Sequence, residues 1–239
     1  MAKTLEDWIE TDVEAVRGRP QRWLGEQFFF RDPSRPVQTD PGYFFSPADG
    51  VVLYQRRVAP DQPLVEIKGR DFTLREAMRD PDYAHESLVV GIFMTYYDVH
   101  VNRVPYGGRV CYRELEPLDT YNYPMLAVEL GLLDELCVDL GEAEYLHNNQ
   151  RVLNRIHAGD LGLTYHVLQI ADFDVDSITP FTLKQNQPYG QNQRFSQIRY
   201  GSQVDLIVPL AGPHRFEFLQ DVGLHVEAGI DPLLRIVTP

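Results

Sequence analysis

The residues Leu88-Val89-Val90-Gly91-Ile92-Phe93-Met94-Thr95 constrain this chain most. They form an uninterrupted apolar run of strand length, enriched in β-branched side chains. Such a run has no polar face to show to water, so it reads as a strand covered on both sides. Other segments repeat the theme. Residues 51–58, 64–68 and 163–171 read as strands, and residues 195–210 alternate or run apolar around Gly201-Ser202. Residues 73–79 read as a short helix. Residues 125–139, rich in Leu and Glu, read as helical or irregular. Residues 172–193 carry Pro180, Pro188 and Gly190 and read as a long loop or hairpin. The tail from Val222 to Leu234 reads as turn, strand and turn. Strands dominate and no βαβ unit repeats. The expected fold class is therefore mainly β, a β-rich α+β arrangement with helices attached.

Leu5, Trp8, Ile9, Val13 and Val16 recur at helical spacing within residues 1–19, with acidic residues between them and Pro20 beyond. This predicts an N-terminal helix packed on the body. A lipid-bound helix would carry a basic polar face instead. At 239 residues the chain can bury an ample core, and one catalytic domain over 1–239 is expected.

Charge narrows the partners. Thirty-five acidic residues face 22 basic ones, a net charge of -13. A nucleic-acid backbone needs a basic footprint, so nucleic acid is not an expected partner. The same charge gives no general pull toward anionic lipid. No apolar run approaches the roughly 20 residues that span a bilayer. The N-terminus lacks the basic-then-apolar pattern of a signal peptide. A cytoplasmic protein without a transmembrane segment is expected; peripheral membrane contact and homo-oligomerisation are left open. Cys111 and Cys137 share no metal-type spacing and read as buried thiols. His85, His147, His157, His166, His214 and His225 form no ligand-type cluster, so no metal is assigned.

Three residues stand out chemically. Asp49 lies in a Ser-Pro-Ala-Asp-Gly turn, His100 follows the apolar strand, and Ser202 follows Gly201 between two apolar runs. Asp, His and Ser are the components of an activated hydroxyl nucleophile. Their order and neighbours match no common hydrolase signature, and there is no Gly-x-Ser-x-Gly elbow.

Longer motifs carry further. They are Phe29-Phe30-Arg31-Asp32-Pro33, Ser46-Pro47-Ala48-Asp49-Gly50, and Ile92-Phe93-Met94 with Asp98-Val99-His100-Val101-Asn102-Arg103. Arg194-Phe195, Ile198-Arg199-Tyr200-Gly201-Ser202, Val204-Asp205-Leu206 and Val226-x-Ala228-Gly229 continue the set. In these motifs and their order the chain resembles the short, non-anchored type of the phosphatidylserine decarboxylase family.

The resemblance implies a decarboxylase-like β fold with a lipoyl-like turn near its C-terminus, and a proenzyme that makes its own cofactor. The cut is expected between Gly201 and Ser202, giving fragments 1–201 and 202–239. Ser202 is expected to become a covalent pyruvoyl group, with Asp49 and His100 as the acid–base pair for processing. Histidine suits this work because its ordinary pKa of about 6.5 lets it take and give a proton. A carboxylate would fix its tautomer, and glycine before the serine leaves the attacked carbonyl unhindered. The pyruvoyl ketone would condense with the amine of an amine-bearing carboxylate substrate and accept the electrons released as CO2 leaves. His100 is then expected to protonate the resulting carbanion equivalent. Arg31 and Arg103 read as anchors, either of which could touch an acidic substrate group.

The chain departs from the pattern in three places. Gly201-Ser202-Gln203 stands where many relatives have Gly-Ser-Thr. Arg103 stands where longer relatives have a second histidine, which leaves proton transfer to His100. After Ile170-Ala171, short relatives continue to an arginine pair, whereas this chain has Asp172-Phe173-Asp174-Val175-Asp176. Carboxylates near an anionic head group would repel it. Phosphatidylserine, as in phospholipid biosynthesis, thus competes with a smaller soluble amino acid as the substrate. The alternative is a non-catalytic relative acting as an interaction module. Its tail lacks a lysine, so it is no lipoyl carrier.

Overall fold

The computed structural model describes residues 2–173 and 177–237. Its strands, in chain order, are β1 Tyr43–Phe45, β2 Gly50–Val58, β3 Pro63–Ile67, β4 Arg70–Thr73, β5 Ser87–Met94, β6 Val101–Arg103, β7 Gly108–Leu115 and β8 Arg151–Ala158. They continue as β9 Leu163–Ala171, β10 Ile178–Pro180, β11 Gln187–Tyr189, β12 Arg194–Ile198, β13 Ser202–Pro209, β14 Arg215–Phe218, β15 His225–Val226 and β16 Pro232–Val237. Eight of them form one large sheet in the order β11-β7-β8-β9-β13-β5-β2-β15. Its neighbours pair antiparallel throughout.

The apolar run forms β5, which is buried along its whole length. So is β13, which lies between β5 and β9. Side chains alternate between the faces of a strand, so β13 feeds two cores. Val204, Leu206 and Val208 join one core with Ile92 and Met94. Two small sheets, β1-β16-β14 and β10-β12-β6, cover that face with Phe44, Leu234, Phe195 and Ile198. Ile207 joins the other core with Phe93, under Leu5, Trp8, Leu74, Val128 and Leu132. Layers on both faces are what an all-apolar strand requires, and the mainly β class holds.

The N-terminal helix occupies residues 5–17, with a π turn over Ile9–Val13. The Thr4 side chain caps it by accepting from the Asp7 N–H. Leu5, Trp8 and Val13 are buried against the body, as expected of a packed helix. Val16 is only half-buried, because the extra residue of a π turn rotates later positions off the buried face. The strand expected over 195–210 breaks at residues 199–201. Before the break, β12 belongs to a small sheet; after it, β13 enters the large one. The segment 125–139 is helical over Leu126–Asp134 and irregular beyond. The reading of both cysteines as buried is corrected. Cys137 is exposed in the irregular stretch and Cys111 is half-buried on β7, and both are free.

β7 and β8 escaped the sequence reading. Gly108–Leu115 carries polar residues at both phases of its alternation and is mostly outside the cores. Its period-2 signal is therefore weak.

Candidate active site

The break between β12 and β13 builds the site. Tyr200 takes a left-handed conformation, φ 61. For a bulky residue this stores about 1–2 kcal/mol of strain. Neighbouring bonds hold it. The Ile198 N–H donates to the His100 carbonyl at 3.1 Å, and the Arg199 N–H donates to Ser177 at 2.9 Å. The Tyr200 ring packs 5.5 Å from Phe29, whose ring lies 4.1 Å from His100. Phe29 thus joins the histidine to the segment leading into Ser202.

Ser202 is fully buried at the start of β13, opposite Met94 on β5 and Ala171 on β9. Its hydroxyl donates to the Met94 sulfur at 3.3 Å, a weak acceptor. Asn102, two residues after His100, reaches the same sulfur at 3.6 Å. Asn102 and Ser202 therefore meet at Met94, and His100 reaches the segment before Ser202 through the Phe29 ring.

His100 is buried in the turn between β5 and β6. Its Nδ1 lies 3.1 Å from the Asp98 carbonyl oxygen. A carbonyl only accepts, so this contact selects the Nδ1–H tautomer and leaves a lone pair on Nε2. Nε2 is buried with no hydrogen-bond partner among the described residues. Burial pushes the imidazole pKa down to about 4, against the opposing pull of Asp98. At neutral pH the ring is an uncharged base with an uncommitted nitrogen.

Asp49 is held differently from the expectation. Its carboxylate takes a bidentate grip from Arg35, at 2.6 and 2.5 Å, and accepts from the Ala228 N–H at 2.8 Å. It makes no hydrogen bond to His100. Asp49 instead ties the loop of Arg35 to the C-terminal turn. The next residue, Gly50, has φ 148, and a Cβ there would lie 2.0 Å from the Phe93 carbonyl oxygen. Only glycine lets this turn close against β5.

The histidine–carboxylate pair of the site is His225 with Asp98, Nε2 to Oδ1 at 2.6 Å. Asp98 Oδ2 also accepts from the Thr95 N–H and hydroxyl, both at 2.8 Å. Burial alone would push the His225 pKa down, yet the Asp98 carboxylate pushes it up. Burial likewise opposes Asp98, and His225 with Thr95 hold it below the ordinary range. Arg35 and His225 had no assigned partner in the sequence, and a pairing across so many residues leaves no local pattern.

Both expected arginines are anchors. Arg31 donates to the carbonyls of Phe28, Tyr97 and Asp98 and lies over the Phe28 ring. Arg103 is buried and donates to the Asn192 carbonyl at 3.0 Å. A cavity of about 320 Å³ is lined by Arg31, Arg35, Asp49, Asp98 and His225. A larger one of about 730 Å³ lies by Pro209, at the far end of β13, and includes none of the three expected catalytic residues.

The Gly201 side is acidic. A Cβ on Gly201 would lie 2.9 Å from Asp172 Oδ2 and 3.9 Å from Glu129 Oε2. Asp172 Oδ1 accepts from the Met125 N–H at 2.8 Å, at the start of the 126–134 helix. The first residue of the acidic stretch thus borders the expected cut. Asp174, Val175 and Asp176 lie outside the described residues. On the opposite face of β13, Gln203 is fastened by Tyr145, Tyr54 and Asp205, each at 2.7 Å.

The family profile for phosphatidylserine decarboxylase matches residues 27–232. A protein of Methanocaldococcus jannaschii, named as an archaetidylserine decarboxylase proenzyme, is 30% identical over 202 residues, covering 84% of this chain and 85% of the relative. The phosphatidylserine decarboxylase proenzyme of Erythrobacter litoralis is 32% identical over 188 residues, covering 78% of this chain and 64% of the relative. That of Chlorobium phaeobacteroides is 28% identical over 189 residues, covering 76% and 67%. The motifs, the β-rich fold and these matches lead to one statement: the chain belongs to the phosphatidylserine decarboxylase family.

Proposed function

We propose that this decarboxylase is self-processing and pyruvoyl-dependent, and that it cuts itself between Gly201 and Ser202. The observation that carries the reading is the uncommitted Nε2 of buried His100, linked through the Phe29 ring to Tyr200, two residues before the buried Ser202. His100 Nε2 takes the Ser202 proton as Oγ attacks the Gly201 carbonyl carbon. The C–N bond breaks, its nitrogen takes up a proton, and an ester joins Gly201 to Ser202. Loss of the Ser202 α-proton expels Gly201 as a carboxylate. One water then hydrolyses the dehydroalanine to a ketone and ammonia.

The site suits the group that results. Ser202 is fully buried, which shields a reactive carbonyl there from bulk water. Once formed, the ketone supplies an electron sink for decarboxylating an amine-bearing carboxylate. His100, uncharged at neutral pH, is the group we assign to return a proton. The role of Asp49 is to hold the C-terminal turn through Ala228.

The names of the relatives favour phosphatidylserine or a similar lipid as the substrate. Asp172 beside Gly201 favours a smaller soluble amino acid, because a phosphate would meet carboxylates there. Among the described residues, no helix is long and apolar enough to cross a membrane. Both substrate classes share the α-amino carboxylate that the chemistry requires.

Denaturing mass spectrometry of freshly purified protein tests the reading. Fragments 1–201 and 202–239, the smaller one ending in a ketone in place of its amine, are the expected result. A single intact chain would reject self-processing and favour the interaction-module alternative.

A further inference from the structure

Self-cleavage has two sides. On one, a base removes the Ser202 proton. On the other, negative charge develops on the Gly201 carbonyl oxygen and needs a donor. Glu129 borders Gly201. Its Oε1 is fixed by the Tyr96 N–H at 2.7 Å, and its Oε2 would lie 3.9 Å from a Cβ on Gly201. The Val128 and Leu132 side chains anchor its helix in the core. Nothing in the established family assignment gives Glu129 a role.

We propose that Glu129 is the proton donor on the Gly201 side of self-cleavage, acting opposite His100. The inference rests on the self-processing reading above. In the first step the Ser202 proton passes to His100 Nε2, Oγ bonds to the Gly201 carbon, and Glu129 gives its proton to the carbonyl oxygen. In the second, the C–N bond breaks and His100 gives its proton to the departing nitrogen. The hydroxyl proton returns to Glu129 as the carbonyl reforms. No net proton is gained or lost.

The electrostatics support the division of labour. Burial raises the Glu129 pKa to about 7, offset in part by the Tyr96 N–H and reinforced by Asp172 and Asp98. The titratable groups facing it are Asp172 from the loop after β9, and Tyr96, Tyr97 and Asp98 from the turn after β5. Asp98 is engaged by His225. His100 is pushed the other way, to about 4. Between these values the base is unprotonated and the acid protonated, the state both roles require. Environments that push two pKa values apart are how proteins assign acid and base.

The test follows cleavage of precursor made by cell-free translation and shifted to buffers between about pH 5 and about 9. The wild-type rate constant is expected to fall about tenfold per unit above about pH 7, as the donor ionises. Glu129→Gln keeps an acceptor for the Tyr96 N–H but carries no titrating proton. It should cleave at least about tenfold more slowly at about pH 6 and lose the alkaline fall. Asp172→Asn keeps an acceptor for the Met125 N–H but removes a charge that adds to burial in raising the Glu129 pKa. It should move the fall to lower pH, which a purely structural role would not do. A Glu129→Gln protein that retains the fall, or an Asp172→Asn protein that leaves it in place, overturns the proposal. Should Glu129→Gln fail to fold, the Asp172→Asn shift decides alone. A wild-type chain that cleaves without any alkaline fall rejects Glu129 only, whereas one that never cleaves rejects the self-processing reading and the proposal with it.

Discussion

The His225 ring is stacked on Trp8 at 4.5 Å while its Nε2 meets Asp98 Oδ1 at 2.6 Å. One buried contact therefore joins the N-terminal helix, the turn before His100 and the tail that follows β13. It should stabilise the protein in a pH-dependent way. A histidine whose folded pKa is raised contributes stability fully present below its ordinary value of about 6.5 and lost as pH rises through the folded value. His225→Ala leaves Asp98 buried without its cation, a change that typically costs about 3–5 kcal/mol. Thermal unfolding of both proteins should show the larger difference near pH 6 and a smaller one near about pH 9.

Arg35 and Asp49 should behave as a unit. Arg35→Met strands the Asp49 carboxylate in a buried site and should destabilise by about 3–5 kcal/mol. The double change with Asp49→Leu removes both charges and should recover part of that loss. Urea unfolding of the two singles and the double measures the coupling. Additive effects would mean that the bidentate contact contributes nothing specific.

Processing should depend on Ser202 and His100 for different reasons. Ser202→Ala has no hydroxyl to attack and should stay a single chain; a split of this variant at 201/202 would sink the scheme. His100→Ala should slow cleavage by about 10²-fold or more. In the wild type the acidic loss of cleavage should fall near about pH 4 rather than near about 6.5, because burial holds His100 unprotonated. Gel analysis of precursor across pH separates the two positions.

The acidic border of Gly201 should show in substrate choice. Cyanoborohydride reduction with a soluble amino acid should attach the amine to fragment 202–239. Phosphatidylserine vesicles should label it less efficiently under the same conditions. Preferential lipid labelling would mean that Asp172 and Glu129 do not face the bound head group.

Much of this architecture was legible beforehand. The length and β-branched content of Leu88–Thr95 read as a covered strand, and the stripe from Leu5 to Val13 buries one face. The motifs around Asp49, His100 and Gly201-Ser202 pointed to the family that the comparisons show.

What the tertiary structure alone decided is which groups meet. Asp49 meets Arg35 rather than His100. Asp98 meets His225 across 127 residues of chain. Glu129 and Asp172 converge on Gly201 from a helix and a loop that sequence spacing does not connect. Periodicity is a local property, set by how each residue's neighbours turn the backbone. The pairing of charges is set by which strands lie side by side in the sheet, and burial then fixes what each charge can do. The sequence by itself therefore determined the apolar strands such as β5 and β9, the N-terminal helix and the reactive residue types, while the packed sheet decided their partners and their protonation.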